Sequence, residues 1–174
     1  MADVYAVFGT LLALGIAFPG LLSGCWLLFP GVVGRAQVRV SATPMRSLFL
    51  GIGGLFLLVI PVAVLNAMAF GLAKLLAAML VFSAFGVATL GAASIAVEMG
   101  DRLLGLAAPT LTRSGAVLRG AVALELAAIF PIVGWFLVIP GTLLIGFGAG
   151  IFAILRWLPR PTERRQAETA AAGA

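Results

Sequence analysis

Three long stretches of this sequence contain almost no charged residue, and they decide what the chain can fold into. They cover residues 4–29, 47–97 and 120–155. A helix needs about 20 apolar residues to cross the roughly 30 Å hydrocarbon core of a bilayer. The chain is 63% hydrophobic and 10% charged, whereas a soluble domain carries far more charge. The sequence therefore predicts an all-α, polytopic transmembrane bundle of four to five helices.

Turn and breaker residues divide these stretches into spans. The second stretch is too long for one crossing, and Asn66, Gly71 and Lys74 mark the turn inside it. We predict spans at about 4–29, 47–65 and 72–97, with 120–155 forming a broken helix or a hairpin. Together they make a single transmembrane domain over residues 1–158. Residues 159–174 are predicted to be a polar, disordered tail.

The positions of the arginines predict which ends of the helices lie on the same side of the membrane. Basic residues favour the cytoplasmic side, and here they cluster in two connecting segments and the tail (Arg35, Arg39 and Arg46; Arg102, Arg113 and Arg119; Arg160, Arg164 and Arg165). If all three clusters are cytoplasmic, residues 120–155 must enter the membrane and return. We therefore predict a helical hairpin there, with one arm short or re-entrant as an open variant, and a cytoplasmic C-terminus in a bacterial inner membrane. A single long tilted helix is the alternative.

Small residues and helix breakers recur at helical spacing. Breakers in the last apolar stretch are Pro131, Gly134, Pro140 and Gly141. Two rows of small residues have four-residue spacing, which places them near one helix face (Ala84, Ala88, Ala92 and Ala96; Gly146 and Gly150). In lipid, helices associate through such residues because they allow close backbone approach. We expect both rows to form helix–helix contacts.

Glu125 is the one acid well inside a predicted span. Ionisable residues inside a membrane are costly and often functional, so Glu125 is a candidate for carrying a proton, binding a cation or pairing with Arg46 or Arg119. It lies less than two helical turns from Arg119, close enough to the membrane surface to reach water. We therefore favour a structural role for Glu125 over a functional one.

Several classes of function have no support in the residues. The chain has no His and one Cys, so neither a His-based metal site nor an internal disulfide can form. No nucleophile–base pair or phosphate-binding loop is present, so we expect no enzyme activity and no cofactor. The net charge of +5 lies at the ends of apolar runs and does not predict nucleic-acid binding. Leu22-Ser23-Gly24-Cys25 matches a lipoprotein cleavage box, but neither the residues before it nor those after it fit that motif.

One part of the chain resembles a known family. Pro44-Met45-Arg46, the Gly51/Gly53/Gly54 segment, Gly100-Asp101-Arg102 and, above all, residues 118–150 resemble a bacterial helical membrane module that often follows bactofilin-like, polymer-forming β-helical domains. The resemblance covers about residues 44–155. It implies an anchor or scaffold without catalytic activity. Residues 1–174 contain no β-helical domain, so a separate partner protein would be needed for that role.

These observations give two expectations about function. The first is a small anchor, scaffold or accessory subunit whose partners are membrane lipid and other membrane proteins or further copies of itself. The second is a small oligomeric transporter or channel that uses Glu125 and the broken helices at Pro131 and Pro140, since transporters place their sites at interrupted helices.

Overall fold

The structure is a computed structural model that describes residues 2–106 and 112–157, without side-chain surroundings for residues 2–4, 6–8, 11–14 and 106. These ranges fold into six α-helices and one π-helical segment: α1 (Ala2–Leu28), α2 (Pro30–Ala42), α3 (Pro44–Ala67), α4 (Gly71–Leu106), α5 (Arg113–Ile129), the π segment (Gly134–Val138) and α6 (Ile139–Ile154). Three helices are long and apolar enough to cross a membrane, and four if α1 and α2 are counted as one bent span. The predicted all-α membrane bundle is confirmed.

Proline and local caps set several of the helix boundaries. Pro30 and Pro44 begin α2 and α3, where the missing N–H costs nothing. The chain bends by 107° between α1 and α2, because the residue before a proline avoids helical geometry. At the end of α6, Trp157 N donates to Phe152 O at 2.9 Å and Arg156 adopts φ 56°. This is the Schellman arrangement, which satisfies carbonyls left free at a helix end.

Two charged regions predicted to be connections are partly helical. Residues 35–46 contain most of α2, a 13-residue helix. The third predicted span, 72–97, continues to Leu106. The charged residues Glu98, Asp101 and Arg102 belong to this helix, and Arg102 Nε pairs with Glu98 Oε1 one turn away at 3.0 Å. A helix can continue past the hydrocarbon core of the membrane, as α4 does here.

Residues 113–154 form a helical hairpin. α5 lies antiparallel to α4, with Gly120 against Ala96 and Gly100 against Ala116. α6 runs the opposite way to α5, because Pro140 lies near residues 55–63 of α3 while Ala153 lies beside Arg35 of α2. The α4–α5 register places Ile129 beside residues 87–89 of α4. The apolar turn at 130–133 therefore stops roughly 15–25 Å before the amino end of α4.

The two ends of the bundle differ in charge. We call basic end the end that contains α2, the start of α3 and the carboxyl ends of α4 and α6, and far end the end that contains the α3–α4 turn at residues 68–70. The arginines within the described ranges are all placed at the basic end by this topology: Arg35, Arg39, Arg46, Arg102, Arg113, Arg119 and Arg156. Lys74 is near the start of α4, at the far end.

Candidate functional site

The basic end holds a polar cluster that joins α2 to α4. The Gln37 side-chain amide of α2 donates to Asp101 Oδ2 at 2.7 Å and to Glu98 Oε2 at 3.3 Å. Glu98 also accepts from Arg102 within α4. Hydrogen bonds to carboxylates are about twice as strong as neutral ones, so Gln37 fixes the position of α2 along α4. Gln37 is not marked by any sequence pattern, because it lies 64 residues from Asp101.

Two arginines of α2 contact the carboxyl end of α6. Arg35 Nε donates to the Ala153 carbonyl oxygen at 2.9 Å. A cation at that position also interacts favourably with the negative end of the helix dipole. The Arg39 guanidinium lies over the Phe152 ring, 4.0 Å from its centre, and the side chain is 8% exposed. Apolar contacts of Ala36 with Ala149 and Ala153 complete this interface.

These contacts make α2 a strap across the basic end rather than a mobile loop. It is fixed to α4 by Gln37 and to α6 by Arg35 and Arg39. Within the described ranges, no group of three or more Asp, Glu or Cys side chains is arranged to hold a metal ion. The arrangement holds charged side chains in fixed positions at one end of the bundle.

Glu125 lies on α5 beside α1. A Cβ added at Gly15 would be 3.4 Å from Glu125 Oε1, so glycine at this position leaves room for the carboxylate between the two helices. The side chain is partly exposed. The pairing of Glu125 with Arg46 or Arg119 stays a prediction; an ion pair within the described ranges joins Arg102 and Glu98.

The predicted helix breakers occupy the turn and the start of α6. Pro131 lies in the turn, and Gly134 packs so closely on the carbonyls of Ala127 and Ala128 that a Cβ would overlap them. Pro140 has no N–H to donate to the carbonyl four residues earlier, and the backbone before it is π-helical, with Ile139 N donating to Gly134 O. Gly141 follows in the first turn of α6, with open space beside it. The side chains around this turn are apolar and exposed, including Ile132, Trp135 and Phe136.

The two rows of small residues lie at the centre of the bundle. Ala88, Ala92 and Ala96 are buried, and Ala84 is half-buried at their far-end side. A Cβ at Gly91 would overlap the Gly146 carbonyl, and a Cβ at Gly150 would overlap the backbone of Val87. On its other side, α6 makes the same kind of contact with α3 through Gly148 and Gly51. Backbone therefore meets backbone along α6.

An apolar groove opens on the side of the bundle toward the far end. Its volume is 510 Å³, within the range of roughly 300–1,000 Å³ found for ligand pockets. Every side chain that lines it is apolar, and they come from three helices: Leu55, Leu58, Val59, Val62 and Ala63 of α3; Val81, Ala84, Phe85 and Ala88 of α4; and Pro140, Leu143, Leu144 and Phe147 of α6. Asn66 and Lys74, which sequence reasoning placed at a turn, are exposed one to two turns beyond it.

Cys25, the single thiol, lies in α1 and packs partly against the main hydrophobic core. That core joins α1, α2, α4 and α5 through nine buried residues: Leu22, Val33, Ala92, Ala93, Ala96, Val97, Val117, Ala121 and Leu124. Leu22 of the lipoprotein-like motif is thus a core residue in the folded chain.

Comparison of the chain with protein-family models, with curated proteins and with solved structures finds no match. The resemblance to the bactofilin-associated module therefore stays a prediction.

Proposed function

We propose that this protein is a non-catalytic anchor or scaffold of a bacterial inner membrane, with its basic end and its C-terminus on the cytoplasmic side. Its partners are membrane lipid and either other membrane proteins or further copies of itself. One observation carries the proposal. The interior is filled by backbone-to-backbone contacts around Gly91, Gly146 and Gly148, which leaves a solid bundle rather than a polar passage.

The charge distribution supports the proposed orientation. The seven arginines in the described ranges lie at the basic end, and arginines favour the cytoplasmic side and its anionic lipids. The strap α2 holds Arg35 and Arg39 in fixed contacts with α6. The far end supports the scaffold role, because Phe56, Phe82 and their neighbours expose large apolar surfaces that a partner helix can cover.

Orientation is tested by cysteine labelling in a Cys25→Ser background. A membrane-impermeant maleimide added from outside the cell should label Met68→Cys, in the α3–α4 turn, and not Ile132→Cys, in the α5–α6 turn. A reporter fused after Ala174 should be active in the cytoplasm. Strong external labelling of Ile132→Cys would mean that α5 crosses the whole membrane, and an external reporter would reverse the orientation.

The scaffold role is tested by photo-crosslinking in intact membranes. A photoreactive residue at Phe82, whose side chain is 76% exposed, should give a protein adduct of discrete mass. The matched control is the same residue at Val122, on the exposed face of α5 near the basic end. Two differently tagged copies separate self-association from another partner. Lipid adducts alone at both positions would contradict the scaffold role.

The alternative, a small transporter or channel, is favoured by one observation: Glu125 lies between α5 and α1, where Gly15 leaves space for its carboxylate. Transport predicts ion or proton flux in reconstituted vesicles that Glu125→Gln abolishes. The anchor proposal predicts no flux above protein-free vesicles, with or without Glu125→Gln.

A further inference from the structure

We propose that the apolar groove and its mouth form a binding site for one anionic phospholipid, whose acyl chains lie in the groove and whose phosphate is held by Lys74 and Asn66. The proposal rests on the membrane placement argued above and concerns the outer leaflet, opposite the basic end. It gives a ligand-binding role to Asn66 and Lys74, which the sequence predicts only as residues of a turn.

Helical periodicity connects the two polar residues to the groove. Lys74 is 7, 11 and 14 residues before Val81, Phe85 and Ala88, three groove-lining residues of α4. These spacings put all four residues on one helix face. Lys74 therefore stands on the groove face of α4, two turns above Val81.

The same relation holds on α3. Asn66 follows Val59, Val62 and Ala63 by 7, 4 and 3 residues, so it stands on the groove face of that helix. Its amide nitrogen donates to Val62 O at 3.2 Å, which leaves its second N–H for another acceptor. α3 and α4 are antiparallel neighbours joined by residues 68–70, so Asn66 and Lys74 occupy the same end of the groove.

The dimensions fit a lipid. From Lys74 to Phe85 the rise along α4 is about 16 Å, and one leaflet contributes about 15 Å of hydrocarbon, half of the bilayer core. A phosphate at Lys74 therefore lies at the membrane surface while the acyl chains reach the level of Phe85. The part of the site that would hold the acyl chains is apolar throughout, because all of its lining side chains are apolar.

The length and lining of the groove suit acyl chains. It extends along eight or nine residues of each helix, or about 12 Å, and every side chain that lines it is apolar. Hydrocarbon chains can therefore lie along it, with the headgroup at the end where Asn66 and Lys74 stand.

Charge selects the headgroup. Lys74 is the only lysine of the chain, and the arginines of the described ranges lie at the opposite end. An ammonium beside an amide donor on a membrane surface attracts a phosphate with an overall negative headgroup more than a zwitterionic one. The site is thus expected to prefer phosphatidylglycerol to phosphatidylcholine.

The test measures lipid retained by the full-length protein. The protein is purified from nanodiscs that contain equal amounts of phosphatidylglycerol and phosphatidylcholine, washed in mild detergent and weighed by native mass spectrometry. We expect one phosphatidylglycerol per chain. Lys74→Gln should lower its retention about tenfold, as for the loss of one charge-assisted hydrogen bond, and Lys74→Arg should keep most of it. Asn66→Ala should have a smaller effect in the same direction.

A second pair of variants tests the groove itself. Ala84→Phe places a ring in the groove and should abolish retention, while the matched control Ser83→Phe, on an exposed face of α4 that does not line the groove, should not. Thermal melting of each variant in detergent shows whether it is folded. Equal retention by the two variants, equal retention of both lipids, or a dimer in place of the lipid adduct would each overturn the proposal. Membrane fractionation and the labelling pattern of Met68→Cys test the proposed anchor separately.

Discussion

At the basic end, six helices meet through glycine, alanine and a fixed set of polar contacts, whereas toward the far end α3 and α4 continue with little around them. On α4, eight residues from Ala88 to Gly100 are buried, whereas from Gly71 to Val87 the buried residues are Ala73 and Ala77. On α3 the buried residues are Ser47 and Gly51, both near the basic end. The same two helices are thus core elements at one end and exposed apolar surface at the other.

The contrast follows from the physics of packing in lipid. Lipid tails are as apolar as leucine, so apolar area alone does not drive helices together. Close contact requires small residues that let backbones approach, and these meet at the level of Gly91 and Gly146. Toward the far end the large side chains Phe56, Phe82 and Phe85 are exposed. We infer that the basic half supplies most of the stability and that the far half is available to lipid and partners.

The largest difference is expected between two substitutions in α4, one in its buried half and one in its exposed half. Gly91→Ala places a methyl group on the Gly146 backbone, and overpacking against backbone costs about 1–3 kcal/mol or more. Gly86→Ala, five residues away, enters open space and should be neutral or stabilising, because alanine is a better helix former by up to about 1 kcal/mol. Thermal melting in detergent should show opposite shifts. Equal shifts would mean that the two halves contribute alike.

Much of this contrast could be predicted from the sequence, because it depends on apolar and small residues that recur at regular spacing. The apolar runs predict the helices, and the arginine pattern predicts the hairpin of α5 and α6. The four-residue spacing of Ala88, Ala92 and Ala96 predicts a contact face, and the structure places these residues in the interior. The apolar runs and the alanine spacing are local to single helices, and the arginine pattern lies along the chain, so none of these signals requires knowing which helices are neighbours.

The strap and the groove could not be predicted in the same way. α2 was predicted as part of a basic connecting segment, and its role as a strap depends on a hydrogen bond between Gln37 and Asp101, 64 residues apart in the sequence. The groove needs the relative placement of three helices. Asn66 and Lys74 looked like turn residues because the sequence did not show that each lies on a groove-facing side of its helix.

The next largest effect concerns the strap. Arg39→Ala removes a side chain that is 92% buried against α6 and stacked on Phe152, and should lower the free energy of unfolding by about 2 kcal/mol. Arg39→Lys should recover only part of it, since lysine lacks the planar stacking group. Arg102→Ala is the control, because its pair with Glu98 is largely exposed and is expected to contribute about 0.5 kcal/mol or less. A larger loss in Arg102→Ala than in Arg39→Ala would contradict the account of α2 as a packed strap.

The smallest predicted effect tests whether the strap is also fixed to α4. Gln37→Ala removes the amide that bridges Glu98 and Asp101 and should cost about 1 kcal/mol, typical of one partly buried hydrogen bond. Because the lost contact holds α2 to α4, trypsin should cleave after Arg35 or Arg39 faster in this variant than in the parent protein. Ser41→Ala serves as the control on the same helix, since its hydroxyl bonds only to Val38 of α2. If both variants are cleaved at the parent rate, the contacts of α2 with α6 suffice to hold the strap without Gln37.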